Sequence, residues 1–175
     1  MPRSASPCSV GCSARTPKSA LKSYDLVWLL HLVGDVHQPL HCATRVSATA
    51  PQGDDGGNKA LVVCDGCQTA QRLHALWDDL PGTAKSVKLA LTPVIAAATK
   101  LPTPDPTLAA KSDEKAWVAE SFQAAQAVVY QPPILAGNGP FTLTPAYTDA
   151  ARTVAQERVA LAAARLANLL NKELK

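Results

Sequence analysis

Histidine and aspartate recur at a spacing of four residues in two places along this chain. His31 precedes Asp35, and His74 precedes Asp78. On a helix, residues four apart lie on the same face about one turn apart, so each pair can direct an imidazole and a carboxylate to one point. That donor combination suits zinc, although manganese and iron accept the same donors. The repeated spacing predicts a metal site between two helices.

The other two histidines lie close to the first pair. The stretch "HLVGDVHQPLH" adds His37 and His41. His41 follows Pro39, which lacks an N–H and disfavours helical geometry at the residue before it, so we expect the helix to kink or end there. The kink can turn His41 towards the metal site. His37 faces a different direction from His31, and we interpret it as a hydrogen-bonded supporting or packing residue rather than a ligand.

Composition limits the class of protein. A length of 175 residues suits one domain with a real core, and a hydrophobic content of 47% argues against global disorder. The formal net charge of +3 is too small to indicate a nucleic-acid partner by itself. No apolar run predicts a membrane span. Residues 1–18 lack the apolar stretch of a secretory signal. They are rich in Ser, Pro and Gly, so we expect an irregular segment there and a single domain over residues 19–175.

Helical periodicity accounts for most of the chain. We predict helices over residues 19–37, 69–80, 83–99, 113–130 and 144–171, and loops over residues 43–58 and 131–145. "KALVVC" followed by Asp-Gly predicts a short strand that enters a turn, one arm of a small hairpin. The predicted class is all-α, a helical bundle with one small β-hairpin.

Five cysteines leave at least one unpaired within a monomer. The "CDGC" stretch from Cys64 to Cys67 is compatible with a zinc half-knuckle, a redox pair or a disulfide across a tight turn. A thioredoxin-like redox site requires a βαβ context that is not predicted here. We favour the turn disulfide, with reduced thiols as the alternative.

Four blocks of sequence resemble the S1/P1 nuclease family in content and order: "LLHLVGDVHQPLHC", "GDDGGN", "LHALWDD" and "RVALAAARLANLLN". The resemblance covers residues 20–171. Members are zinc-dependent, single-strand-specific endonucleases with 3′-nucleotidase activity. They share an all-α fold and a cluster of up to three zinc ions with bacterial zinc-dependent phospholipase C. The resemblance therefore implies a phospholipase C/nuclease P1-like helical bundle.

The resemblance also implies roles for individual residues. His31 corresponds to a ligand of the first zinc, and Asp35 to the catalytic carboxylate that bridges this zinc to a neighbour. His41, His74 and Asp78 correspond to the complete protein ligand set of another zinc. Two histidines and a carboxylate leave positions open for water and a phosphate oxygen, as a catalytic zinc requires.

The "DDGGN" loop matches a family motif that shapes the hairpin beside the site. We interpret Gly56 and Gly57 as residues that permit an unusual backbone conformation. Asn58 is a candidate supporting residue that would hydrogen-bond to a metal ligand. Asp54 and Asp55 are interpreted as turn residues rather than ligands.

The N-terminal region departs from the family pattern. Members begin with a zinc-binding Trp, followed by a His and then by another Asp and His, whereas this chain has no histidine before His31. We therefore expect an N-terminally truncated member that corresponds to the C-terminal portion of the fold. The first zinc then lacks two ligands, and the third keeps only Asp35.

The function implied by the resemblance is hydrolysis of phosphodiester bonds in single-stranded DNA and RNA, and of 3′-nucleotides, by a water that zinc activates. The family resemblance also implies a secreted or periplasmic protein, and we expect a monomer. Because ligands are missing, a non-catalytic, zinc-stabilised helical fragment is the first alternative. A phospholipase C-like hydrolase ranks third, since the "DDGGN" and "RLANLLN" blocks are closer to the nucleases.

Overall fold

Helices dominate the computed structural model, which describes residues 18–48, 50–64, 68–82, 91–134 and 137–173. The helices are α1 Lys18–His37, α2 Leu73–Asp79, α3 Leu91–Ala98, α4 Pro106–Ala109, α5 Glu114–Ala124 and α6 Pro145–Glu173. A 3₁₀ turn, Pro39–His41, follows α1, and a π-helical turn, Ala125–Val129, continues α5. The strands are β1 Leu61–Val63, β2 Gln71–Arg72 and β3 Phe141–Thr142. The predicted mostly helical class is confirmed.

The small sheet contains the predicted hairpin and one strand more. β1 pairs with β2 in antiparallel orientation, with Val62 opposite Gln71. On its other side β1 pairs with β3 in parallel orientation, with Val62 opposite Phe141. The prediction of a continuous loop over residues 131–145 was therefore wrong at β3. This strand has two residues, which is too few for an alternating pattern to be recognised in the sequence.

The helix boundaries follow the sequence pattern with local differences. α1 ends at His37, as the following proline predicts. α2 begins later than expected because residues 71–72 pair with β1 as a strand. Residues 83–90 of the predicted third helix lie outside the described residues, as do residues 1–17 of the predicted N-terminal segment. Cys67 also lies outside them, so the turn disulfide stays a prediction.

The main core lies around the sheet and the N-terminal half of α6, and its buried members include Leu40, Val62, Leu73, Trp77, Val129, Leu143 and Tyr147. Trp77 is 1% exposed and is therefore a core residue. Its indole N–H donates to the hydroxyl of Tyr147 at 3.3 Å, and that hydroxyl donates to the Val129 carbonyl at 2.9 Å. This chain of contacts fixes α2 against α6.

A buried polar network joins α1 to α5 and α6. The guanidinium of Arg165 donates to Nε2 of His37 at 2.9 Å and to Glu120 at 2.8 Å. Since arginine can only donate, Nε2 of His37 accepts, and its Nδ1–H donates to the Val33 carbonyl at 2.7 Å. Burial lowers the pKa of His37 to about 4, which keeps the imidazole neutral.

The same network binds the C-terminal carbonyls of α1, which have no partner within the helix. The Ser121 hydroxyl donates to the Val36 carbonyl at 2.6 Å. Nε of Arg158 donates to the His37 carbonyl at 3.2 Å. The positive charge of Arg158 also interacts favourably with the negative end of the helix dipole. The end of α1 is therefore fixed in position and direction.

None of the helices in the described ranges is both long enough and apolar enough to cross a membrane.

Glu120→Gln should destabilise the fold, because Glu120 is the carboxylate partner of both Arg158 and Arg165. Removing one partner of a buried ion pair lowers the free energy of unfolding by about 3–5 kcal/mol. For Glu120→Gln we expect a decrease near the lower end of this range, measured by urea denaturation at pH 7. Burial raises the pKa of Glu120, but hydrogen bonds from Arg165 and Arg158 outweigh it and leave the pKa below its usual value.

The stabilising effect of Glu120 is therefore present above its pKa in the unfolded chain, about 4.3, and is lost as pH falls through the lower pKa of the folded protein. The difference between wild type and Glu120→Gln should shrink over this acid range. Glu157→Gln, an exposed change on α6, is the control and should stay within about 0.5 kcal/mol. Equal effects of the two variants at pH 7 would contradict the network.

Candidate metal centre

His41, His74 and Asp78 converge at the junction of the 3₁₀ turn and α2. Each offers a ligand atom, and these atoms all lie within 4.8 Å of one another. Asp78 places Oδ1 3.5 Å from Nε2 of His41 and Oδ2 3.6 Å from Nε2 of His74. With bonds of about 2.1 Å, two ligands of a tetrahedral zinc lie about 3.4 Å apart, so the spacing and the donor types both fit zinc.

Local sequence explains how His41 reaches this position. The backbone of Gln38 is extended, with φ −78° and ψ 120°, as a residue before proline prefers. Pro39 then starts the short turn, where a missing N–H costs nothing. Leu40 is 2% exposed and anchors the turn in the core. The chain therefore leaves α1 and turns His41 towards α2.

His74 is oriented by the glycine loop. Its Nδ1 lies 2.8 Å from the Gly56 carbonyl, to which it donates a hydrogen bond, so Nε2 carries the lone pair that faces Asp78. Gly56 has φ +56°, and a Cβ there would lie 2.6 Å from the Leu40 carbonyl oxygen. Glycine is therefore required for both the backbone conformation and the close approach.

The Asp54 carboxylate is buried and organises this loop. Its Oδ1 accepts hydrogen bonds from the backbone N–H groups of Arg45 at 2.9 Å and Gly57 at 3.1 Å. The hydroxyls of Tyr130 at 3.1 Å and Thr44 at 3.2 Å donate to the same oxygen. Burial raises the pKa of Tyr130, as does the charge of Asp54, so this hydroxyl remains a donor.

His31 and Asp35 lie beside the centre rather than within it. Oδ2 of Asp35 is 3.2 Å from Nε2 of His31 and 3.5 Å from Nδ1 of His41. The side chain of His31 is 61% exposed. Within the described part of the chain, these two residues do not join a close group of three ligand-type side chains. His41 therefore connects Asp35 to the candidate centre.

The two candidate supporting residues make their hydrogen bonds to groups outside the three converging side chains. His37 is 2% exposed and makes its hydrogen bonds to Val33 and Arg165 in the network behind α1. The Asn58 amide donates to the Asp55 carbonyl at 2.9 Å within the loop. Asn58 also lines the cavity beside the centre, whereas His37 does not.

A cavity of about 590 Å³ opens beside the three converging ligands. Its lining includes His41, His74, Gln52, Asn58 and Lys59. Lys59 supplies a cation, and Gln52 and Asn58 supply amide groups that can donate and accept. The cavity therefore offers polar contacts to a molecule that lies beside the candidate centre.

One residue in contact with the candidate centre was missed in the sequence, and the burial of one loop residue was not predicted. Gln38 donates to Asp78 across 40 positions of sequence, and Asp54 was interpreted as a turn residue. Neither contact has a spacing pattern that reveals it. The "HQP" and "GDDGG" strings place both residues next to the motifs, but they do not show which groups the side chains contact.

These features define a helical protein with a candidate two-histidine, one-carboxylate metal centre. The chain matches the family model described as S1/P1 Nuclease over residues 12–175. The match spans most of the chain, which belongs to the S1/P1 nuclease family, as its sequence blocks predicted. Neither the search of curated proteins nor the search of solved structures returned a match.

Gly56→Ala should weaken both folding and zinc binding, because the added Cβ meets the Leu40 carbonyl and the positive φ is unfavourable for alanine. We expect a loss of at least about 2 kcal/mol in urea denaturation of the metal-free protein. Chelator competition should also show weaker zinc binding, since the carbonyl that orients His74 moves.

Gly34→Ala is the matched control for this substitution. Gly34 lies in α1 next to Asp35, and a Cβ there meets nothing within 4 Å. Alanine is favoured over glycine inside a helix by about 1 kcal/mol, so this variant should be as stable as the wild type or more stable. If Gly56→Ala matched Gly34→Ala in both measurements, the role assigned to the loop would be wrong.

Proposed function

We propose that this chain is a zinc-dependent nuclease that hydrolyses phosphodiester bonds in single-stranded DNA and RNA and also acts on 3′-nucleotides. The observation that carries the proposal is the convergence of His41, His74 and Asp78 beside a polar cavity. Family membership supports the nuclease reaction class.

His41, His74 and Asp78 would hold the zinc. A site with three protein ligands leaves room for water and a substrate oxygen. When bound there, zinc would lower the pKa of a water molecule and stabilise negative charge on the phosphate. The donor set fits these tasks because two neutral imidazoles and one carboxylate leave a net positive charge on the centre.

Asp35 is the proposed catalytic carboxylate. It is 37% exposed in its side chain and lies against His41, at the edge of the centre. From this position the carboxylate can accept a hydrogen bond from an attacking water and orient it towards phosphorus. His31, in contact with the same oxygen, restricts the carboxylate to this direction.

The residues of the cavity fit a nucleotide substrate. Lys59 can pair with a phosphate oxygen, and the amides of Gln52 and Asn58 can hydrogen-bond to sugar or base. A concave site of this size receives an unstacked nucleotide more easily than a paired one, because extrusion from a duplex costs a few kcal/mol. This supports the preference for single strands.

A non-catalytic role is the second candidate, and the exposure of His31 favours it. His31 and Asp35 do not form a three-ligand group within the described ranges. In this alternative, a single zinc at the centre would connect the 3₁₀ turn to α2 and stabilise the fold without hydrolysis.

Asp78→Asn should remove zinc and activity together, because a neutral amide is a poor zinc ligand. We expect zinc affinity to fall by more than about 100-fold, beyond the loss typical of a residue that only contacts a ligand. The measurements are zinc content by elemental analysis, zinc affinity by chelator competition, and cleavage of single-stranded DNA.

Asp79→Asn, an exposed change at the next position of α2, is the control and should keep both properties. Wild-type protein that binds zinc through the three ligands and does not cleave DNA, RNA or 3′-nucleotides would establish the non-catalytic role instead. If Asp78→Asn contained as much zinc as the wild type, both candidates would be contradicted. Cleavage of phosphatidylcholine in place of DNA would identify a phospholipase.

A further inference from the structure

We infer that Gln38 is a positioning residue of the metal centre, which holds the carboxylate of Asp78 and the turn that carries His41 through one amide group. The inference rests on the proposed function, because it assigns Gln38 a task at the zinc site proposed above. Gln38 touches neither substrate nor metal in this assignment and acts through the two ligands.

The side-chain amide of Gln38 bridges two separate elements. Its Nε2 donates to Oδ1 of Asp78 at 2.8 Å. Its Oε1 accepts from the backbone N–H of Leu40, in the middle of the 3₁₀ turn. Because the donor and the acceptor belong to one planar amide group, the hydrogen bond to Leu40 also sets the direction of the hydrogen bond to Asp78. The turn and α2 are thereby joined at the ligands.

The backbone of Gln38 strengthens this connection. Its N–H donates to the Asp35 carbonyl at 3.0 Å, and its carbonyl accepts from the N–H of His41 at 3.1 Å. These two hydrogen bonds fix the backbone from the end of α1 to His41 relative to the side-chain amide of Gln38. Because Pro39 comes next, φ and ψ of Gln38 are restricted to the extended region, which limits the directions available to the side chain.

The contact with Asp78 matters because this ligand is otherwise weakly held. Its side chain is 47% exposed, so solvent would leave the carboxylate free to rotate. With Oδ1 bound to Gln38, Oδ2 faces Nε2 of His74 at 3.6 Å. Ligating carboxylates are commonly hydrogen-bonded in this way, and loss of such a partner typically weakens metal binding by about 10–100-fold.

Two substitutions separate the two contacts of the amide. Serine is a preferred residue at the start of a helical turn, and its hydroxyl can accept from the Leu40 N–H, but it is too short to reach Asp78. Gln38→Ser therefore keeps the cap of the turn and removes the donor to the ligand. Gln38→Ala removes both contacts.

The experiment compares wild type, Gln38→Ser, Gln38→Ala and His74→Ala. Zinc affinity is measured by competition with a chelator, and unfolding temperature is measured on the metal-free proteins. Cobalt(II) is bound in place of zinc, and its visible absorption reports the geometry of the site. These readouts do not require nuclease activity.

We expect both Gln38 variants to bind zinc about 10–100-fold more weakly than wild type and to change the cobalt spectrum. Metal-free Gln38→Ser should unfold at the wild-type temperature, whereas Gln38→Ala should unfold about 2–4 °C lower because its cap is lost. A loss of affinity in the serine variant without a loss of stability is the signature of positioning.

Wild-type zinc affinity and an unchanged cobalt spectrum in Gln38→Ser would overturn the inference, whatever the alanine variant shows. The proposed function would survive that result if His74→Ala still abolished binding. If His74→Ala bound zinc like wild type, the centre itself would be wrongly assigned, and both the inference and the proposed function would fail.

Discussion

The fixed end of α1 is the constraint on which the site depends. Ser121 and Arg158 bind the carbonyls of Val36 and His37, which the helix itself leaves without partners. If these two carbonyl groups were buried without a hydrogen-bond partner, each would lower the free energy of unfolding by about 1–3 kcal/mol. Because these groups come from α5 and α6, three helices determine where the chain turns, and the position of His41 follows from that.

The three candidate ligands are then supported by residues outside the centre. The Gly56 carbonyl orients His74, and the loop that supplies it is organised by the buried carboxylate of Asp54. Trp77 and Tyr147 hold α2, which carries both His74 and Asp78, against α6. The exposed candidate ligands are therefore placed by contacts that lie deeper in the protein, as a site with defined metal geometry requires.

Local patterns in the sequence predicted a large part of this arrangement. The spacing of His74 and Asp78 predicted a shared helix face, and Pro39 predicted the end of α1 that turns His41. The bond from Gln38 to Asp78 and the burial of Asp54 depend on which elements meet in space. No periodicity encodes such contacts. β3 was missed for the same reason, since a two-residue strand is defined by its partner.

His41, His74 and Asp78 are proposed to bind one metal ion together. A crystal structure of the zinc-loaded protein, with anomalous data collected on both sides of the zinc absorption edge, tests it most directly. We expect an anomalous peak within about 2.0–2.2 Å of a nitrogen of each histidine and of an oxygen of Asp78. Bound zinc located elsewhere, with these three side chains in contact only with one another or with solvent, would contradict it.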